Sequence, residues 1–236
     1  MSSATWTPAA LASEARRIEG GFWRMVEAQH QASTLKLVDN AAEQALLESL
    51  LEASKPPLPD VVAHLDYLLA TPFRYPPPQR GSRFRAPTDP GVFYAADDIP
   101  TAAAELGWWR WRFLTDSADL SRIDPVAHTA FQALVAADGI DLTQPPLDAD
   151  AAHWMAPDDY RATQSLASAV RAVPLQAIRF ASVRHPDHRA CIALLDPSGF
   201  AAPRPDPATQ TWWLAVDAHG AHWVREGERV TFRFGR

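Results

Sequence analysis

Between Phe73 and Gly91 the chain reads FRYPPPQRGSRFRAPTDPG, and this run limits the fold more than any other feature. Proline fixes its own φ, lacks a donor N–H and restricts the residue before it, so no long helix or central strand passes through such a segment. The chain therefore changes texture here, with helices expected before the run and loops around short strands within and after it. Arg74, Arg80, Arg83 and Arg85 crowd the same stretch and form a local basic patch.

On the N-terminal side the apolar residues fall at helical spacing. Leu11, Ala15, Ile18, Phe22 and Val26 predict a helix within residues 8–31, with Gly20 and Gly21 as an interruption. AAEQALLESLLEA, residues 41–53, predicts an amphipathic helix with Leu46, Leu47, Leu50 and Leu51 on its apolar face, stopped by SKPPLPD. Residues 59–69 predict a further helix, with Leu65, Leu68 and Leu69 inward and Pro72 ending or bending it. These helices carry no evident chemistry. They read as a packing layer or a partner surface.

On the C-terminal side, GVFYA at residues 91–95 reads as a buried strand. Asp98 or Thr101 then caps a helix with Pro100 in its first turn. Its body, AAAELGWWRWRFL, puts Glu105 and Trp109 on one side, four residues apart. Residues 115–126 read as a strand or irregular crossing, 125–136 as a helix, 139–150 as a loop and 160–173 as a helix. Strands are expected at 177–183, 190–195, 211–216, 222–225 and 229–234, with Gly220 and Gly227 at the bends. The mix predicts an α+β domain with a small mixed or antiparallel sheet.

Composition excludes several classes. A net charge of -6 argues against long-range attraction to nucleic acid or an anionic membrane. The Arg74–Arg85 patch keeps a nucleic-acid-binding rival in view, one that would show salt-sensitive binding by the isolated chain. The one cysteine, Cys191, permits no internal disulfide, and inside ACIALL it fits an inert buried thiol. HPDH at 185–188 and HGAH at 219–222 each lack a third ligand nearby, so no metal is expected. There is no G-x-S-x-G elbow, and GSR lacks the spacing and lysine of a P-loop. No apolar run approaches a membrane span, and the start, MSSATWTPAALASEARRIEGG, lacks the order of a secretion signal. A cytoplasmic protein is expected. Nine tryptophans are many for 236 residues, and each either fills the core or lines a cleft or interface.

The residues that permit chemistry are Arg83, Tyr94 and Glu105, spaced 11 and 11 residues apart. An arginine fork suits paired phosphate oxygens, and Arg74 and Arg83 flank the proline-rich turn. A tyrosine ring at the end of a strand can stand over a flat heterocycle. A carboxylate among alanines can stabilise a cation developing on a sugar, or orient a ribose hydroxyl. Each also has an ordinary reading: a surface arginine, a core tyrosine with its hydroxyl tied off, a solvated helix glutamate.

With these residues in hand, the chain resembles the RES-domain family, the toxin halves of bacterial RES–Xre toxin–antitoxin pairs. The resemblance rests on Arg74, GSRF at 81–84, GVFYA at 91–95 and TAAAE at 101–105. It continues in SLASAVRA from Ser165, IRFASVR through Ser182 and Arg184, and CIALLDP from Cys191. It implies an ADP-ribosyltransferase-like RES domain over residues 66–200, a helical extension over 1–65 and closing strands over 201–236. It also implies NAD+ as substrate, with Arg74 and Arg83 on the phosphate side, Tyr94 stacking on nicotinamide and Glu105 as the catalytic glutamate. Ser182 is similar to the polar residue that lines the pocket after the later strand. Many relatives have an asparagine beyond that strand, where this chain reads RACIA. The implied activity is cleavage of the nicotinamide–ribose bond with water or phosphate as acceptor, causing growth arrest. The alternatives are mono-ADP-ribosylation of a housekeeping protein and a non-catalytic NAD-binding or scaffold role. The implied partner is an Xre-like antitoxin in a hetero-oligomer, blocking the pocket and contacting DNA in place of this chain.

Overall fold

The computed structural model of the chain describes residues 6–28 and 40–235. Eight strands form one mixed sheet: β1 (Arg16–Glu27), β2 (Phe93–Ala96), β3 (Ile123–Asp141), β4 (Ala177–Ala181), β5 (Ala190–Leu194), β6 (Gln210–Asp217), β7 (Gly220–Arg225) and β8 (Glu228–Arg233). Their order is β1-β2-β5-β4-β3-β6-β7-β8, and β1 also pairs with β3. The first five strands therefore close into a ring, from which β6-β7-β8 extends as a meander. Only β3 and β4 run parallel; the other pairings are antiparallel.

Two strands replace predicted helices. Residues 8–28 form a short helix, α1 (Pro8–Ser13), followed by β1, which pairs with β3 from Arg16↔Gly139 to Glu27↔His128. Residues 29–31 of the expected helix lie outside the described residues. Ile18, Phe22 and Val26 share a strand face as well as standing four apart. Gly20 and Arg24 blank the alternate positions, which thins a period of two into an apparent helical one. Residues 125–136, expected as a helix, lie in β3. Phe131, Ala133, Val135 and Ala137 alternate inward, but alanine is a weak period-two signal and a good helix former. Pairing with β1 on one side and β6 on the other decides the outcome. Pro125 sits where the β3–β6 register shifts, a position that tolerates a missing donor.

The remaining helices are α2 (Ala41–Ser54), α3 (Tyr67–Arg74), α4 (Ile99–Asp116), α5 (Ala151–Trp154) and α6 (Arg161–Arg171). In α2 the expected apolar face is present but uncovered, with Leu46 and Leu50 61% and 59% exposed. Residues 59–69 split into a 3-10 turn at Asp60–Val62 and the start of α3, which Asp66 caps through Leu68 N–H; Pro72 lies inside α3. Of the two expected caps, Asp98 is the one that caps α4, accepting from Thr101 N–H at 2.8 Å.

Apolar residues pack in two clusters. One joins α4, α6 and the β6-β7-β8 meander, and the other joins α3 to the ring strands. Gly107 lets α4 approach β7, since a Cβ there would stand 2.7 Å from Ala221 Cβ. Beside it Trp223 is fully buried and donates its indole N–H to Ala103 O at 3.2 Å. Truncating such a residue to alanine costs about 3–5 kcal/mol. This packing fixes the first turns of α4, and hence Glu105, against the sheet. Among the described residues no helix is long and apolar enough to cross a membrane, and no cluster of metal-ligand residues occurs.

Candidate active site

The proline-rich run ends in a tight loop that aims Arg83 inward. Gly81 has φ +69°, and a Cβ on it would stand 2.1 Å from Arg85 O, so only glycine fits. Ser82 N–H donates to Arg85 O at 2.8 Å and Arg85 N–H to Ser82 O at 3.1 Å. Phe84 is fully buried against Phe180, ring centroids 4.8 Å apart, and pins the loop to the core. Arg83 is thereby buried. Its Nη1 donates to the carbonyls of Trp154 and Ala156 at 2.8 and 3.0 Å, and its guanidinium lies 4.9 Å from the Tyr160 ring centroid. Burial holds this guanidinium below its ordinary pKa; Tyr160 and Glu105 pull it up again, and Arg184 pushes it down.

Tyr94 stands on β2 with its hydroxyl tied to the same loop. The phenol oxygen shares a hydrogen bond with Ser82 Oγ at 2.8 Å and accepts from Phe84 N–H at 3.0 Å. Burial raises its pKa, with the two hydrogen bonds opposing, so the phenol stays protonated. The ring is thus fixed at its far end by the loop that carries Arg83.

Glu105 lies in the second turn of α4. Ala102, Ala103 and Ala104 before it are buried and small, which brings the helix close to the sheet. Its Oε1 accepts a hydrogen bond of 2.5 Å from Ser182 Oγ. Ser182 follows β4 and is fully buried. Its hydroxyl oxygen accepts from Arg184 N–H and His185 N–H at 3.2 and 3.0 Å. With those backbone donors on the oxygen, the one hydroxyl proton is directed at Glu105. Ser182 thus reaches the site through the glutamate and not as an exposed pocket wall. Cys191 lies close by, and burial first, then Glu105, raises its thiol well above the usual range, keeping it protonated.

Arg83, Tyr94, Glu105 and Ser182 come together. Arg74 does not join them. Its Nε donates to Pro56 O at 2.6 Å and its Nη1 pairs with Glu52 at 2.7 Å. It lines a separate hollow of about 430 Å³ with Arg24, Glu52 and Tyr75. Arg85 is likewise fastened to its own surroundings, through Asp89 O and Tyr75 O.

Sequence reasoning gives no role to Arg184, yet its guanidinium stacks 3.3 Å from the Trp108 ring centroid and donates to Pro157 O at 2.6 Å. Arg83 and Arg184 therefore hold three carbonyls of one segment, those of Trp154, Ala156 and Pro157. A cleft of about 550 Å³ opens one turn beyond Glu105, lined by Trp108, Arg112, Asp116, Pro157, Asp158 and Arg184. The only sequence signal for Arg184 is its place two residues after Ser182.

A model of the RES domain matches residues 57–217. No curated protein sequence matches the chain. Among solved structures, a chain in the crystal structure of the M. tuberculosis MbcT–MbcA toxin–antitoxin complex is similar. The TM-score is 0.50 and the identity 12%, covering 87% of this chain and 87% of that one. At that identity the likeness is one of fold. β1, β7 and β8 fall outside the matched family segment, although they are strands of the same sheet.

Proposed function

This chain belongs to the RES-domain family, and on that premise we propose that it cleaves the nicotinamide–ribose bond of NAD+ as the toxin of a toxin–antitoxin pair. The observation that carries the reading is a carboxylate, Glu105, oriented by a buried hydroxyl beside a desolvated arginine and a half-buried tyrosine.

The chemistry needs little more than these groups. Nicotinamide leaves as a neutral base from a cationic ring, so no general acid is required. Positive charge grows on the ribose as the bond lengthens, and Glu105 stabilises it electrostatically. Ser182 holds one carboxylate oxygen and leaves the other to turn toward the sugar. Tyr94, fixed by its hydroxyl, offers its ring to the nicotinamide. Arg83 supplies positive charge for the phosphate side, together with Arg184 in the adjoining cleft, whose size suits the remainder of a dinucleotide. Arg74 has no part in this reading.

The acceptor names the reaction: water gives hydrolysis, phosphate gives phosphorolysis. A second reading, mono-ADP-ribosylation of a protein, is favoured by the same cleft, which begins at Trp108, one helical turn from Glu105, and is wide enough for an acceptor side chain. The proposed site of action is the cytoplasm, and the proposed partner is an antitoxin that covers the pocket. The fold neighbour comes from a toxin–antitoxin complex, and the uncovered leucines of α2 offer a contact surface.

The test is nicotinamide release from NAD+ by the purified chain, with and without phosphate, beside Glu105→Gln. Release that disappears in the variant supports the proposal, and dependence on phosphate identifies the acceptor. No release, and no labelled protein when labelled NAD+ is added to cell extract, would sink it.

A further inference from the structure

We infer that Gln164 is a positioning residue for the Arg83 loop and, resting on the NAD+ reading above, that its amide sets substrate affinity without acting on bond cleavage. Gln164 is half-buried on α6. Its Nε2 lies 3.1 Å from Arg80 O, 3.0 Å from Ser82 O and 3.3 Å from Arg85 O. Three carbonyls of one loop thus converge on one amide nitrogen. An amide nitrogen has only two hydrogens, so one bond is shared. Because every partner is an acceptor, nitrogen and not oxygen must face the loop. The same nitrogen would stand 2.9 Å from a Cβ on Gly81, so the tight turn and the amide fit each other.

What hangs on this loop is the binding side of the site. Ser82 fastens the Tyr94 hydroxyl, and Arg83 reaches inward to the carbonyls of Trp154 and Ala156. Glu105 is held separately, by Ser182 at the end of β4. Loosening the loop therefore displaces the groups that bind NAD+ and spares the carboxylate that stabilises the ribosyl cation. Ser82 and Arg85 keep their mutual backbone bonds without Gln164, so its loss shifts the loop and does not abolish it.

Two substitutions separate the donor from the bulk of the side chain. Gln164→Met keeps the length and removes the donor. Gln164→Glu places carboxylate oxygens against the three carbonyls. With the purified full chain, KM for NAD+ should rise about tenfold in the first and further in the second, with kcat kept within about threefold. An unchanged KM in both variants of an active enzyme overturns the inference. So does an equal loss in kcat, or the loss of cooperative unfolding in both. If the wild-type chain neither releases nicotinamide nor labels a protein from labelled NAD+, the NAD+ reading fails, and hydrogen exchange still decides the positioning role. The Ser82 and Arg85 amides should then exchange about tenfold faster in Gln164→Met; unaltered exchange overturns it.

Discussion

Ser182 donates its hydroxyl proton to Glu105 Oε1 at 2.5 Å, joining the residue after β4 to the second turn of α4 across 77 positions of the chain. The two backbone donors on Ser182 make this a directed bond to a charged acceptor, a class worth about 1.5–3 kcal/mol. Ser182→Ala should therefore lower kcat for nicotinamide release about 10- to 100-fold with a smaller change in KM. Steady-state kinetics on purified variants would check this. A variant with wild-type kcat would remove Ser182 from the mechanism.

Tyr94→Phe keeps the ring and removes the hydroxyl that meets Ser82 and Phe84 N–H. The expected result is a loss of about 1 kcal/mol of stability from the lost hydrogen bonding, with the ring's contribution to binding kept. Tyr94→Ala should raise KM for NAD+ well beyond Tyr94→Phe. Thermal unfolding and kinetics on both variants separate the two functions; identical KM values would mean that the ring does not meet the substrate.

The two arginines flanking the proline run should behave differently. Arg74→Gln breaks an ion pair to an exposed glutamate and a hydrogen bond to Pro56 O, and should leave KM for NAD+ unchanged. Arg83→Gln removes a buried cation that holds two carbonyls and acts electrostatically on Glu105. NAD+ binding should fall by more than about tenfold. Titration of both variants with NAD+ decides; a comparable loss in Arg74→Gln would return that residue to the phosphate side.

His128 makes stability depend on pH. Its ring is buried edge-on to Trp223, with Nδ1 2.9 Å from Val126 O and Nε2 without a partner among the described residues. Burial lowers its pKa, so the unfolded state binds this proton more readily and stability falls as pH drops below about 6.5. His128→Phe should flatten the dependence of Tm on pH between about 7 and 5. An unchanged slope would assign acid sensitivity to other groups.

Cys191 should resist thiol reagents in the folded protein. It is 3% exposed, and its thiol is held protonated. Reaction with an aromatic disulfide at pH 8 should be negligible in buffer and complete in denaturant. Rapid labelling of the native chain would show that β5 opens readily.

The local structure around the candidate site was largely legible without coordinates. The spacing of Arg83, Tyr94 and Glu105 spans a loop, a strand and a capped helix, and each of those elements has a local signature: Gly81 in the turn, the apolar run before Tyr94, and Asp98 with Pro100 at the helix start. These are short-range effects of backbone sterics and caps, so the sequence determined them by itself. Strands β1 and β3 were not legible, because an alanine-rich or glycine-interrupted strand is made by the neighbours it pairs with. Nor was the fate of the arginines. Arg74 and Arg83 are nine residues apart in one basic patch, yet one pairs with Glu52 and the other is buried on the carbonyls of Trp154 and Ala156. Ser182 had a place in the sequence reading, but its partner did not. Which side chains meet across 77 residues depends on strand order and register, long-range properties that no local pattern encodes, and only the tertiary structure decided them.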